Sequence, residues 1–147
     1  MNRSRDSLEQ GVSANLMSDA ATSPKFTHHI LVVDDEAAIR TMVSRVLSGR
    51  YQVTTASDPH EALAIAASVS RLDLLILDVM MPGIDGFELA KRLRLLPSCA
   101  KTPIVFLSAR DAAGDKIKGI QAGARNYITK PFSIDDLKAR VKKAIGD

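Results

Sequence analysis

The 147-residue sequence predicts an α/β fold in which helices cover both faces of a parallel β-sheet. From Thr27 onward, short runs of β-branched and aliphatic residues alternate with segments of helical periodicity, a rhythm typical of βαβ units. Three of the runs are apolar nearly throughout, as expected for parallel strands that are buried on both sides. Five strand and helix pairs fill about 120 residues, which is a normal size for one doubly wound domain.

The predicted strands are brief and rich in Val, Ile and Leu, with few charged residues inside them. They run from His29 to Val33, Tyr51 to Ala56, Leu74 to Leu77, Ile104 to Leu107 and Asn126 to Ile128.

The predicted helices lie between and after these strands, and two of them have clear start signals. Asp58-Pro59-His60-Glu61 combines a capping box with Pro at the first helical position, and Ser133 is followed three residues later by Asp136. Gly49 provides a stop for the first helix. The helices are expected at Glu36 to Ser48, Asp58 to Ser70, Gly86 to Leu96, Ala112 to Ala122 and Ser133 to Ile145.

The region before the first strand has a different composition. Residues Met1 to about Lys25 are rich in Ser, Ala, Asn and Asp, lack hydrophobic periodicity, and carry charges that cancel. We therefore expect residues 1–26 to form a flexible tail and residues 27–147 to form the folded domain.

Composition excludes several functional classes. The net charge of +3 is modest and scattered, and the basic run near Lys142 is typical of a solvated helix face, so direct nucleic-acid binding is not expected. The single cysteine, Cys99, cannot form an internal disulfide. No apolar stretch reaches membrane-spanning length and no signal peptide is evident, so we expect a soluble, cytoplasmic protein without membrane insertion.

Polar residues gather where the predicted strands end, which is the edge where open parallel sheets bind ligands. Asp34 and Asp35 follow the first strand, Asp78 follows the third, Ser108 follows the fourth, and Lys130 comes shortly after the fifth. If the first, third, fourth and fifth strands are neighbours, one rim of the sheet holds all five side chains.

The three carboxylates of this rim would repel one another unless a cation lies among them. Taken alone, Asp34 or Asp35 would be read as a cap of the first helix, but two successive acids and a third from another strand favour a metal. Mg²⁺ prefers such oxygen ligands, and zinc is disfavoured because no His or Cys lies at these strand ends.

Beside a metal, Asp78 has a chemical use, because a carboxylate can attack phosphorus and form an aspartyl phosphate. The Lys130 ammonium would neutralise the transferred group, and the Ser108 hydroxyl could donate a hydrogen bond to it. The set therefore predicts a phosphoryl-transfer site.

These residues also carry a family resemblance: the chain from His29 to Ile145 resembles the receiver domain of two-component response regulators, of the chemotaxis-regulator type. The matching motifs are Val33-Asp34-Asp35-Glu36, the segment from Leu77 to Gly86, Ser108-Ala109, and Lys130-Pro131-Phe132. The resemblance implies a flavodoxin-like, doubly wound five-stranded parallel sheet, with strand order 2-1-3-4-5 and five helices.

The resemblance assigns roles to the metal ligands. Asp78 is implied to be the phosphoacceptor, Asp35 and Asp78 to bind Mg²⁺ directly, Asp34 to act mostly through water, and Met80 to supply its backbone carbonyl.

It also assigns the remaining site residues. Ser108 and Lys130 are implied to hold the phosphoryl group, and Lys130-Pro131 corresponds to a cis peptide. Tyr127 corresponds to a switch aromatic that turns inward when Ser108 moves toward the phosphoryl group. The resulting population shift would alter the surface formed by the last two helices and the last strand.

The leading hypothesis is a stand-alone receiver that takes a phosphoryl group from a phosphohistidine on a histidine kinase or histidine phosphotransfer protein. It would be a signalling protein rather than an enzyme, catalysing only its own phosphorylation and dephosphorylation, and it would act on a protein target that the sequence does not identify. Whether phosphorylation drives dimerisation is left open.

Two alternatives stay open at this point. The chain could be the receiver of a longer regulator whose output domain is absent from it. It could also be a Mg²⁺-dependent small-molecule phosphatase, but enzymes resembling the haloacid dehalogenases place D-x-D after the first strand, whereas this sequence has Asp34-Asp35-Glu36. A nucleotide-binding protein is disfavoured because no Gly-rich loop follows the first strand.

Overall fold

The computed structural model describes residues 26–109 and 124–146. The predicted tail, apart from its last residue, and the predicted helix from Ala112 to Ala122 lie outside the described residues. Within them, five strands and four α-helices alternate, and a 3₁₀ turn at Pro97–Cys99 follows the third helix. The elements are β1 His29–Val33, α1 Ala37–Leu47, β2 Gln52–Ala56, α2 Pro59–Ser68, β3 Leu74–Asp78, α3 Gly86–Leu93, β4 Ile104–Ala109, β5 Ala124–Lys130 and α4 Ile134–Ile145.

The five strands form one parallel sheet with the order β2-β1-β3-β4-β5. This confirms the implied order 2-1-3-4-5 and the flavodoxin-like arrangement. The chain moves outward from β1 to β2 and then crosses back to β3, so β1 and β3 flank the point where the winding direction reverses. The carboxyl ends of these two strands are the expected place for a ligand.

Most predicted bounds lie within two residues of the observed ones, and the third helix is the exception. It was predicted to reach Leu96 but ends at Leu93, and Leu96 has an extended backbone with φ −94° and ψ 139°. Pro97 explains why the helix cannot include Leu96, because a proline disfavours helical backbone in the residue before it.

The last two strands are longer than predicted. β4 and β5 continue as a paired ladder through Ser108↔Thr129 and Ala109↔Lys130. The sequence pattern misplaced these ends because the polar side chains at the rim resemble a loop, although their backbones remain in the sheet.

Helix capping follows the sequence signals. The Asp58 carboxylate accepts a hydrogen bond from Glu61 N at 2.8 Å, and Ser133 Oγ accepts one from Asp136 N at 3.0 Å. These bonds satisfy backbone donors of the first helical turn that have no partner within the helix. The capping predictions for α2 and α4 are therefore confirmed.

Two hydrophobic layers lie on opposite faces of the sheet, because successive side chains of a strand point to opposite sides. In β3, Leu75 and Leu77 pack with α2 and α3, whereas Leu74 and Ile76 pack with α1 and α4. All four are fully buried. The central strands are thus held from both faces, which keeps their carboxyl ends in fixed positions.

Gly86 determines how closely α3 approaches the end of β3. Its backbone N donates a hydrogen bond to Val79 O at 2.9 Å, and a Cβ atom at this position would overlap the carbonyl oxygen of Asp78. The same Cβ would lie 3.1 Å from the Asp78 carbonyl carbon. Only a residue without a side chain allows this packing, so the placement of Asp78 depends on Gly86.

We predict that Gly86→Ala lowers the free energy of unfolding by at least about 2 kcal/mol, because the added methyl group must displace backbone rather than a flexible side chain. Gly49→Ala is the matched control, since a Cβ there meets nothing within 4 Å. Urea denaturation followed by circular dichroism measures both changes. Equal stability of the two variants would contradict the close contact.

Candidate metal site at the carboxyl edge of the sheet

Three carboxylates meet at the carboxyl edge, as the sequence predicted. Asp34 directly follows β1, Asp78 is the last residue of β3, and each of Asp34, Asp35 and Asp78 has an oxygen within 4.8 Å of the others. Asp34 is completely buried and Asp78 is 4% exposed, whereas Asp35 is exposed. The cluster therefore has a buried base and remains accessible from solvent beside Asp35.

The two oxygens of Asp34 have different surroundings. Oδ1 accepts a hydrogen bond from Glu36 N at 2.9 Å, which fixes the loop before α1. Oδ2 is buried without a hydrogen bond of suitable geometry to any described residue, although Lys130 Nζ lies 2.9 Å away. Arg40 also stabilises this loop by donating to the Asp34 carbonyl oxygen at 2.8 Å. A buried carboxylate oxygen whose one close partner among the described residues is an ammonium keeps a lone pair that a metal could use.

Lys130 supplies the positive charge of the site. Its Nζ lies 2.9 Å from Asp34 Oδ2, 3.3 Å from Glu36 Oε1 and 3.4 Å from Asp78 Oδ1. Burial disfavours the charged form of Lys130, but the surrounding carboxylates outweigh it and raise the pKa above its ordinary value. The Lys130-Pro131 peptide bond is cis, as the resemblance implied.

The surroundings of Asp78 disfavour the ionised form of its carboxyl group. Burial, followed by the neighbouring charge of Asp34, raises the pKa of Asp78 from 3.8 to about 7. Lys130 and the backbone N of Met80, which donates to Asp78 Oδ1 at 3.3 Å, lower this pKa without cancelling the rise. A divalent cation would favour the ionised form of this carboxyl group.

The strands place Ser108 next to the cluster. Asp78 is the register partner of Leu107, and Val79 N donates to Leu107 O at 3.0 Å. Ser108 is the following residue of β4, and it is buried, with 5% of its surface exposed. It therefore lies on the strand that separates Asp78 from Lys130.

Two further predicted residues have different environments. Met80 is 69% exposed, and its backbone N donates a hydrogen bond to the Asp78 carboxylate. Tyr127 is half-buried on β5, where its ring stacks on Phe106 with centroids 5.7 Å apart. Tyr127 thus belongs to the sheet core beneath the site.

The structure also shows two contributors that the sequence prediction omitted. Glu36 pairs with Lys130, and Arg40 holds the backbone of Asp34. Glu36 directly follows Asp34 and Asp35, so its charge could have indicated a partner for Lys130. It was assigned to the motif and to the first helix instead. Arg40 lies one helical turn after Glu36, and its reach back to residue 34 requires the observed geometry.

The donor set fits a hard divalent cation. Its oxygens come from three carboxylates, one of them the buried Asp34 Oδ2, and hard cations such as Mg²⁺ and Ca²⁺ prefer such ligands.

None of the described helices has the length and apolar character needed to cross a membrane.

Comparisons with known proteins identify the family. The family model of the response regulator receiver domain matches residues 30–142. Response regulator PleD of Caulobacter vibrioides is 43% identical over 114 residues, which are 77% of this chain and 25% of PleD. Response regulator MprA of Mycobacterium avium is 45% identical over 114 residues, which are 77% of this chain and 49% of MprA. The chain thus spans about a quarter to a half of the curated relatives it matches.

Solved structures agree with this relationship. Chemotaxis protein CheY4 of Vibrio cholerae has a TM-score of 0.75 and 37% identity, covering 80% of this chain and 98% of that one. The receiver domain of Francisella response regulator 1452 has a TM-score of 0.72 and 36% identity, covering 82% and 98%. The matched residues include both edge strands and every carboxylate of the site, and the chain belongs to the response regulator receiver domain family.

Proposed function

We propose that this protein takes a phosphoryl group from a phosphohistidine onto Asp78, with Mg²⁺, and signals through the resulting conformational change. The donor would be a histidine kinase or a histidine phosphotransfer protein, the general source of phosphoryl groups for this family. The observation that carries the proposal is the position of Asp78, a nearly buried carboxylate with the Lys130 ammonium 3.4 Å away and two further carboxylates beside it.

In the proposed transfer, an Asp78 carboxylate oxygen forms a bond to phosphorus as the P–N bond to the donor imidazole breaks. The Lys130 ammonium neutralises charge on the transferred group, and the Ser108 hydroxyl donates a hydrogen bond to one of its oxygens. Mg²⁺, assigned to the carboxylates of Asp34, Asp35 and Asp78 and to the Met80 carbonyl, would supply further neutralisation of phosphoryl charge when bound.

We assign this receiver to residues 27–147, preceded by a tail at 1–26 of unassigned role. The first candidate is a stand-alone regulator, similar in extent to the CheY4 chain, of which the match covers 98%. A receiver within a longer regulator is the second candidate, supported by the greater length of PleD and MprA. The mass of the native protein on an immunoblot distinguishes the two, and both assign the same chemistry to Asp78.

For the signal, we propose that Ser108 and Tyr127 act together. Movement of Ser108 toward the phosphoryl group would leave space beneath β4, and the Tyr127 ring would shift further inward to fill it. The half-buried position of Tyr127, stacked on Phe106 of the same strand as Ser108, supports this coupling. Phosphorylation would then stabilise a conformation that is minor in the unmodified protein.

The transfer has a direct test. Incubation with acetyl phosphate and Mg²⁺ should add one phosphoryl group, detected by intact-protein mass spectrometry, and Asp78→Asn should abolish the adduct. Asp73→Asn is a control, because Asp73 pairs with Arg71 and His29 at the opposite end of the sheet. An unmodified wild-type protein with several donors would refute the proposal.

The raised pKa of Asp78 predicts a pH-dependent stability in metal-free buffer. Because the folded state binds this proton more tightly, the stabilisation is complete below pH 3.8 and disappears as the pH rises through about 7. Relative to Asp78→Asn, the wild type should lose about 2 to 4 kcal/mol of unfolding free energy across this range. Urea denaturation at several pH values measures the difference.

Saturating Mg²⁺ should remove most of that decline, because the cation replaces the proton as the neutralising partner. Asp135→Asn, which removes an exposed carboxylate in the first turn of α4, is the control and should track the wild type. If the unfolding free energies of the wild type and Asp78→Asn changed with pH in parallel, ionisation of Asp78 would not destabilise the folded state and the prediction would be wrong.

The switch is tested by Ser108→Ala, which should still accept the phosphoryl group but should lose most of the change at Tyr127. Ring signals of Tyr127 in NMR spectra report its surroundings, and Tyr51, in the opposite core layer, serves as the internal reference. If phosphorylation of Ser108→Ala changed the Tyr127 ring signals as much as in the wild type, the proposed coupling of Tyr127 to Ser108 would be refuted.

A further inference from the structure

The Lys130 ammonium is shared among three carboxylates that differ in one respect. Asp34 and Asp78 belong to the cluster that could hold a metal, whereas Glu36 does not. Glu36 Oε1 is 3.3 Å from Lys130 Nζ, and the Glu36 side chain is 62% exposed, compared with 0% for Asp34 and 6% for Asp78. Glu36 is therefore the solvent-side partner of the lysine on which the proposed transfer depends.

The backbone explains why Glu36 reaches Lys130. Its N–H is held by Asp34 Oδ1, and its extended conformation, with φ −88° and ψ 114°, places it immediately before α1. Although Glu36 occupies the N-cap position, its side chain makes no capping hydrogen bond. The Glu36 carboxylate therefore places its negative charge beside Lys130 at the solvent-exposed side of the site, and it does not cap the helix.

That charge has consequences for a phosphoryl donor. The Lys130 ammonium must form contacts with the donor oxygens, and the Glu36 carboxylate competes for the same ammonium. A small anionic donor also approaches through the exposed side, where Glu36 repels it. Both effects have the same sign, and both grow with the negative charge of the donor.

We propose that Glu36 is a specificity-determining residue that competes with the donor oxygens for Lys130 and disfavours free, strongly anionic phosphodonors. This inference rests on the proposed function and names the class of donor that reacts more slowly at the same site. With acetyl phosphate, the bond from phosphorus to the acetyl oxygen breaks as the bond from Asp78 to phosphorus forms, and acetate leaves with the electron pair.

The test compares two donors of different charge on the full chain. At neutral pH acetyl phosphate is mainly a dianion and phosphoramidate carries less negative charge. With saturating Mg²⁺ and low salt, Glu36→Gln should raise the second-order rate constant for acetyl phosphate about five-fold, and the constant for phosphoramidate about two-fold at most. Both gains should shrink in high salt, where exposed charges are screened.

Glu88→Gln is the matched control. It removes the same charge from an exposed glutamate, whose partner is Arg92 on α3 at 3.3 Å. Its rate constants should equal those of the wild type for both donors. Equal rates in Glu88→Gln and Glu36→Gln, equal gains for both donors, or no gain for acetyl phosphate would each overturn the proposal.

A second measurement needs no donor. Calorimetric titration with Mg²⁺ alone should show about two- to three-fold weaker binding to Glu36→Gln than to the wild type, because one nearby negative charge is lost. A distorted site would weaken metal binding and slow the reaction together, so the opposite signs exclude a merely structural effect. Unchanged Mg²⁺ affinity would show that the Glu36 charge has no electrostatic effect on the site, and would refute the inference.

The two proposals fail in different ways. If the wild type forms no adduct with either donor, the phosphoacceptor function fails and this inference fails with it. If the wild type forms the adduct and Glu36→Gln matches it, the phosphoacceptor function stands and the role of Glu36 is refuted.

Discussion

The ion pair between Lys130 and the buried carboxylates is the interaction on which the carboxyl edge of the sheet depends. Asp34 follows β1 and Asp78 ends β3, and burying a carboxylate at this depth is costly unless a cation pairs with it. Lys130 ends β5, so its side chain crosses the end of β4 to reach both acids. The strand order is therefore a requirement of the site, since another order would separate the cation from its partners.

This arrangement is not optimised for the stability of the metal-free protein. One lysine faces three carboxylates, and burial together with the charge of Asp34 raises the pKa of Asp78. Under the proposed function, this excess of negative charge would attract the divalent cation. Such local destabilisation is a common property of reactive sites, and the two packed layers on either side of β3 compensate for it.

The strand order and the residues that meet at the carboxyl edge could be predicted from the sequence, because both leave local patterns. The apolar run from Leu74 to Leu77 indicates a strand that is buried on both faces of the sheet. Asp78 and Lys130 are charged residues at the ends of apolar strands. The contact of Glu36 with Lys130 was missed because Glu36 was assigned to the first helix, whereas the sheet brings the two residues together across 94 positions. The ends of β4 and β5 were also predicted too early. The residues at these ends are polar and resemble loop residues in the sequence, although their backbones remain paired in the sheet.

The alternation of side chains in β5 has a consequence for communication. Tyr127 packs in the layer with α2 and α3, whereas the next residue, Ile128, packs in the layer with α1 and α4. Because both layers are close-packed, a displacement of this strand must be accommodated on both sides at once. A displacement of β5 would therefore change the packing beneath two opposite surfaces of the molecule at the same time.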